Sequence, residues 1–134
     1  MRIEVSACTD TGRKRSANED FHAFDAKLGL FVVADGLGGH AAGRRASELG
    51  VAVFVETVAR DPQGSGSEVL RRAIHRASEA IHEASRAEPG LRGMGTTLVA
   101  IWLRGEEAAL AHAGDSRLYL HRQRRLSPLT LDHS

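Results

Sequence analysis

Apolar and polar positions alternate from Ile3 to Cys8 (I-E-V-S-A-C), the period-two pattern of a half-buried strand. Cys8 in that strand reads as a small buried hydrophobe. Residues 9–20, T-D-T-G-R-K-R-S-A-N-E-D, lose the pattern and carry both charge signs, as a loop does. Residues 21–25 suit a short strand. The run L-G-L-F-V-V-A, residues 28–34, predicts a buried strand that stops at Asp35 and turns through G-L-G-G-H. From His40 to about Arg60, Ala42, Ala46, Leu49, Val53 and Glu56 recur at three or four residues and predict a helix, although V-A-V-F-V inside it would serve equally as a strand. Residues 61–67 form a linker, with Ser67 placed to cap the next helix. Across residues 68–87, Leu70, Ile74, Ala77, Ile81 and Ala84 make one apolar stripe, ended by Glu88-Pro89-Gly90. Strands then follow at Thr96–Leu103, Ala108–Ala113 and Ser116–His121, with turns at 104–107 and 122–125. Such short connections predict an antiparallel meander. Strands, two helices and strands again give an α+β fold rather than repeated βαβ units.

Composition narrows the picture. A chain of 134 residues has room for one domain, and 42% hydrophobic with 26% charged residues is the balance of a folded globular protein. Lys+Arg 18 against Asp+Glu 17 leaves +1, without the basic excess of a nucleic-acid binder. The one cysteine excludes an internal disulfide. No apolar run approaches the ~18 residues of a membrane span, and Met1–Asp10 lacks a basic segment followed by an apolar one. The expectation is a cytoplasmic protein with no membrane or nucleic-acid partner.

Three segments carry candidate chemistry. In V-V-A-D-G-L-G-G-H, residues 32–40, a buried strand delivers Asp35 to a glycine turn, a setting for a hard cation or for a phosphate approached through metal. The plainer reading makes Asp35 a turn former. Gly36-x-Gly38-x-x-Ala41, with Glu56 beyond, also fits a dinucleotide fingerprint. Against it stand the negative charge of Asp35 beside a pyrophosphate and the antiparallel C-terminal part. In G-R-K-R-S-A-N-E-D, residues 12–20, Arg13, Lys14 and Arg15 suit an oxyanion, and Glu19 and Asp20 a metal site; a solvated loop with weak ion pairs is the alternative. In A-H-A-G-D-S-R-L-Y-L, residues 111–120, Asp115 follows a glycine between strands, which ordinary turn chemistry also explains. His75 and His82 form no H-E-x-x-H, and Ser116 stands in no nucleophile elbow.

Taken in order, T-D-T-G-R-K-R-S-A-N-E-D, L-F-V-V-A-D-G-L-G-G-H-A-A-G, G-M-G-T-T-L-V-A, A-H-A-G-D-S-R-L-Y-L and L-T-L-D-H-S resemble the metal-dependent protein phosphatases, the PPM or type 2C serine/threonine family, in its bacterial form. The likeness runs from about Ser6 to Ser134. It implies the N-terminal half of an α-β-β-α sandwich of two antiparallel sheets flanked by helices, with residues 1–134 as one incomplete domain. It also implies two divalent ions, Mn²⁺ or Mg²⁺, whose bridging water attacks the phosphorus of phosphoserine or phosphothreonine in proteins phosphorylated by a serine/threonine kinase. By the same resemblance Asp35 is the bridging carboxylate and the Gly36 carbonyl a ligand. Arg15 binds the substrate phosphate, Asp20 and Glu19 stand in the outer shell, and Asp115 serves a further, weaker metal site. Gly95-Thr96-Thr97 is packing without chemistry. Leu37 departs from the histidine of animal members. The family's later D-G and D-N metal motifs are not among these residues, so the chain by itself is expected to be inactive. A phosphatase-like binding module without catalysis is the alternative, and a dinucleotide-binding domain the third.

Overall fold

The computed structural model describes residues 2–133, the side chain of His40 excepted. Met1 and Ser134, the two ends of the expected domain, lie outside the described residues. The element order is β1 (Asp20–Asp25), β2 (Leu30–Leu37), α1 (His40–Arg60), α2 (Gly66–Ala87), a short 3-10 turn at Pro89–Leu91, β3 (Gly95–Thr96), β4 (Leu98–Arg104), β5 (Glu107–Ala113), β6 (Tyr119–Arg122) and β7 (Arg125–Pro128). The larger sheet has the order β1-β2-β4-β5, with β3 paired to the end of β2, and β6-β7 form a separate two-stranded sheet. Every pairing among the described strands is antiparallel. The α+β class therefore holds, and a doubly wound dinucleotide fold does not.

The period-two burial of β2 decides what each face does. Leu30, Val32 and Ala34 are buried with Leu98, Ala100 and Trp102 of β4. They pack against Val51, Phe54 and Val58 of α1 and Val69, Leu70, Ala73 and Ala77 of α2. Trp102 is fully buried, its Nε1–H donating to the Leu28 carbonyl at 2.9 Å, so the largest side chain of the core leaves no unpaired donor. Val33, Asp35 and Leu37 alternate onto the opposite, exposed face.

Several local expectations are corrected. Residues 3–8 form no strand, and Cys8 is exposed, because this alternating segment pairs with no neighbouring strand. Strand β2 does not stop at Ala34: Asp35, Gly36 and Leu37 belong to it, because Gly36 and Leu37 find pairing partners in Thr96 and Gly95. The turn is left to Gly38 and Gly39. The V-A-V-F-V segment is helical, with Val51, Phe54 and Val58 on the core side at helical spacing. Ser65 rather than Ser67 precedes α2, and it makes no side-chain cap. The predicted strand from Thr96 is broken at Thr97, whose N–H turns to the Asp35 carbonyl at 2.9 Å. The meander also breaks: β6 pairs with β7 and not with β5, and starts at Tyr119, because Gly114, Arg117 and Leu118 bond residues 129–133 instead.

Candidate active site

Strand pairing sets Asp20 directly opposite Asp35 at the open end of the β1–β2 ladder. Residues so paired project from the same face, and like charges placed there repel. A sequence selected for sheet stability alone would not oppose two carboxylates. Gly36, the next residue, turns to the helix side, where it donates its N–H to the Glu19 carbonyl at 3.1 Å. A Cβ at Gly36 would lie 1.9 Å from the Gly43 carbonyl oxygen, so β2 and α1 meet backbone to backbone here. The Glu19 carbonyl also accepts from Ser47 Oγ of α1 at 2.7 Å. Its side chain is only 11% exposed, stands 3.6 Å from Arg15 and presses on α1 at Gly43. Glu19 Oε1 is buried with no hydrogen-bond partner among the described residues, a state that costs free energy until something polar meets it.

The Asp115 turn is fastened from several sides. Arg117 Nε and Nη2 hold Asp132 at 2.9 and 2.6 Å. His133 donates its N–H to the Gly114 carbonyl at 3.0 Å, and the Gly114 N–H donates to His133 Nδ1 at 3.2 Å. The Arg117 hydrogen bond is the main reason the Asp132 carboxyl sits below the usual range. Asp132 is thus engaged in fixing the turn.

Asp35 is held above the ordinary carboxylate range. Although it keeps solvent access, burial by its surroundings is the largest cause. The charge of Asp20, a hydrogen bond shared with it and the charge of Asp115 add to the rise, and the Arg15 guanidinium opposes it. A carboxyl whose folded pKa is raised contributes stability below the unfolded value, ~3.9, and loses it as pH rises through the folded pKa. Metal-free Asp35→Asn is therefore expected to melt above the wild type at pH 7, with the gap closing below about pH 4. Melting curves of both proteins in chelator across that range check this; a lower melting temperature for the variant at pH 7 would contradict it.

Asp20, Asp115 and Arg15 thus all act on Asp35, while Glu19 lies against α1. Lys14 and Arg13 are exposed and take no part in an ion pair among the described residues. Thr97, expected as packing, is buried, and it also bonds the Asp35 N–H through Oγ1 at 2.9 Å and reaches Ser116 Oγ at 2.5 Å. The G-T-T segment gives no local sign of this, because the partners lie in two other segments. Glu56 pairs with Arg60 at 2.6 Å, as an exposed helix residue does.

Oxygen donors of this kind suit Mg²⁺ or Mn²⁺ rather than a soft metal. The opposed carboxylates of Asp20 and Asp35 are what a hydrated cation would relieve. Among the described residues, no three His, Cys, Asp or Glu side chains gather tightly enough to hold one ion. The residues fit as part of a metal site, with backbone or further ligands needed to fill it.

Comparison with known proteins points the same way. The chain is 40% identical over 130 residues to the serine/threonine protein phosphatase PstP of Mycobacterium tuberculosis, covering 97% of this chain and 25% of that protein. It is 36% identical over 139 residues to the protein phosphatase PhpP of Streptococcus pneumoniae, covering 98% of this chain and 56% of that one. The fold superposes on the catalytic domain of PstP in complex with two manganese ions at a TM-score of 0.84 and 41% identity, over 92% of this chain and 53% of that structure. The chain thus spans about half the length, or less, of these relatives. The sequence profile described as protein phosphatase 2C matches residues 10–134. Nearly the whole chain is covered by that match, the solved fold agrees, and the chain belongs to the protein phosphatase 2C family.

Proposed function

We propose that this chain furnishes the Asp35 half of a two-ion centre that hydrolyses phosphoserine and phosphothreonine in proteins, those made by a serine/threonine kinase in the cytoplasm. The observation that carries it is the cross-strand pair of Asp20 and Asp35, with Arg15 close enough to act on it. Bound Mn²⁺ or Mg²⁺ would supply a Lewis acid that lowers the pKa of water and offsets phosphoryl charge. Asp35 and the Gly36 carbonyl would hold the ions, and Asp115 a further one. Asp20 and Glu19 would bind the hydration shell. Arg15, 75% exposed and only loosely paired at 3.6 Å, is free to grip the phosphate dianion. Leu37, exposed beside this end of β2, has no proton to donate, so the proton for the leaving oxygen must come from another group. The near-zero net charge supports a protein rather than a nucleic-acid partner. No helix among the described residues is long and apolar enough to cross a membrane.

A phosphothreonine peptide tests this. With Mn²⁺ present the chain should bind it, and Arg15→Ala should weaken binding about tenfold, the loss of a charge-assisted hydrogen bond. The unphosphorylated peptide should bind equally poorly to both proteins. Phosphate release by these 134 residues should stay near background, because so few carboxylates converge on one point. Mn²⁺-dependent turnover at ~1 s⁻¹ or faster would overturn that ligand count. Binding indifferent to Mn²⁺ and to Arg15 would favour a binding module without catalysis.

A further inference from the structure

Thr97 lies in the break between β3 and β4, and is 8% exposed. Its backbone N–H donates to the Asp35 carbonyl at 2.9 Å, and its Oγ1 accepts the Asp35 N–H at 2.9 Å. A threonine hydroxyl has a further lone pair and one proton, and these meet Ser116 Oγ at 2.5 Å. The methyl is used as well. Gly114 has φ +98°, and a Cβ there would lie 2.7 Å from Thr97 Cγ2, so the turn backbone rests on the methyl group. Neighbouring Thr96 makes only a local bond, from Oγ1 to the Thr97 carbonyl. One side chain therefore grips both the strand end that carries Asp35 and the turn that carries Asp115.

We infer that Thr97, through Ser116, is a positioning residue that fixes the Asp115 turn against Asp35 and so sets the separation of the two carboxylates. A buried hydroxyl needs some partner in any fold. Here, however, one partner is Asp35 itself and the other, Ser116, adjoins Asp115, and neither is paired to β4 in the sheet. The link between the two segments stands on these contacts alone; its consequence for metal rests on the proposed function.

The test compares Thr97→Val, which keeps the shape and the methyl contact, with Thr97→Ser, which keeps the hydroxyl. In the metal-free chain, amide exchange at Gly114 and Leu118, the hydrogen-bonded amides on either side of Asp115, should quicken about tenfold in Thr97→Val and stay near wild type in Thr97→Ser. Ser116→Ala should quicken exchange at Asp35, and adding it to Thr97→Val should do little more, the mark of a shared interaction. Mn²⁺ titrated alone should bind about tenfold more weakly to Thr97→Val, with no such loss in an Asp115→Asn background. Wild-type exchange at Gly114 and Leu118 in Thr97→Val, or equal disturbance by Thr97→Ser, would overturn the inference. Should Thr97→Val not fold, Ser116→Ala decides: unchanged exchange at Asp35 overturns it. A wild type that binds no Mn²⁺ counts against the proposed function and leaves the exchange result to decide the link.

Discussion

Gly36→Ala is expected to be the most damaging small substitution in the fold. Gly36 has no left-handed φ, so its need is for space. The added carbon would lie 1.9 Å from the Gly43 carbonyl oxygen and 2.9 Å from the Glu19 carbonyl oxygen, and both obstacles are backbone. No rotamer change clears them. Either β2 moves off α1 or the Gly36 N–H···O=C Glu19 bond breaks, and Ser47, which bonds the same carbonyl, moves with it. Overpacking of a tight site costs about 1–3 kcal/mol where side chains can shift. Here the cost should reach or exceed the upper end, a large share of the ~5–15 kcal/mol that holds a domain together. Denaturant unfolding of wild type and variant measures it. An unchanged midpoint would mean that β2 and α1 are not locked at this point.

The second large effect is on metal. Asp35→Asn keeps size and hydrogen-bonding capacity but removes an anionic ligand from a hard-cation site. Loss of an outer partner of a metal ligand costs roughly 10–100-fold in affinity. Loss of the ligand itself should cost at least the larger figure, so Mn²⁺ calorimetry should show little residual binding in the variant. The same substitution is expected to stabilise the metal-free protein at pH 7, because it removes the cost of burying a charge there and, after that, the repulsion from Asp20 and Asp115. Stability gained without metal and affinity lost with it, in one variant, separates a binding carboxylate from a turn former. A turn former would lose stability and leave affinity alone.

Much of this was legible in the sequence. Both helices and most of the antiparallel strands follow from periodicity, whereas the grouping of Arg15, Asp20 and Asp115 about Asp35 is what the family resemblance implies. What escaped depends on partners distant in the chain. Ile3–Cys8 has strand periodicity but no strand to pair with, and periodicity reports only which side would be buried. The end of β2 was misplaced because glycines at 36 and 38 suggest a turn, whereas pairing with β3 carries the strand through Asp35 to Leu37. That difference matters to function, since it sets Asp35 opposite Asp20 on one face. Thr97 was hidden for a similar reason: its hydroxyl serves residues 62 and 19 positions away.

The central claim, that the Asp20–Asp35 end of the sheet is a metal site, is tested most directly by titrating trace Mn²⁺ into the labelled chain and following its amide resonances. Paramagnetic broadening should first remove signals of Asp20, Asp35, Gly36 and the Gly114–Ser116 turn, and those signals should persist in Asp35→Asn. Broadening centred elsewhere, such as at His112 and His133, or identical in wild type and variant, would contradict it.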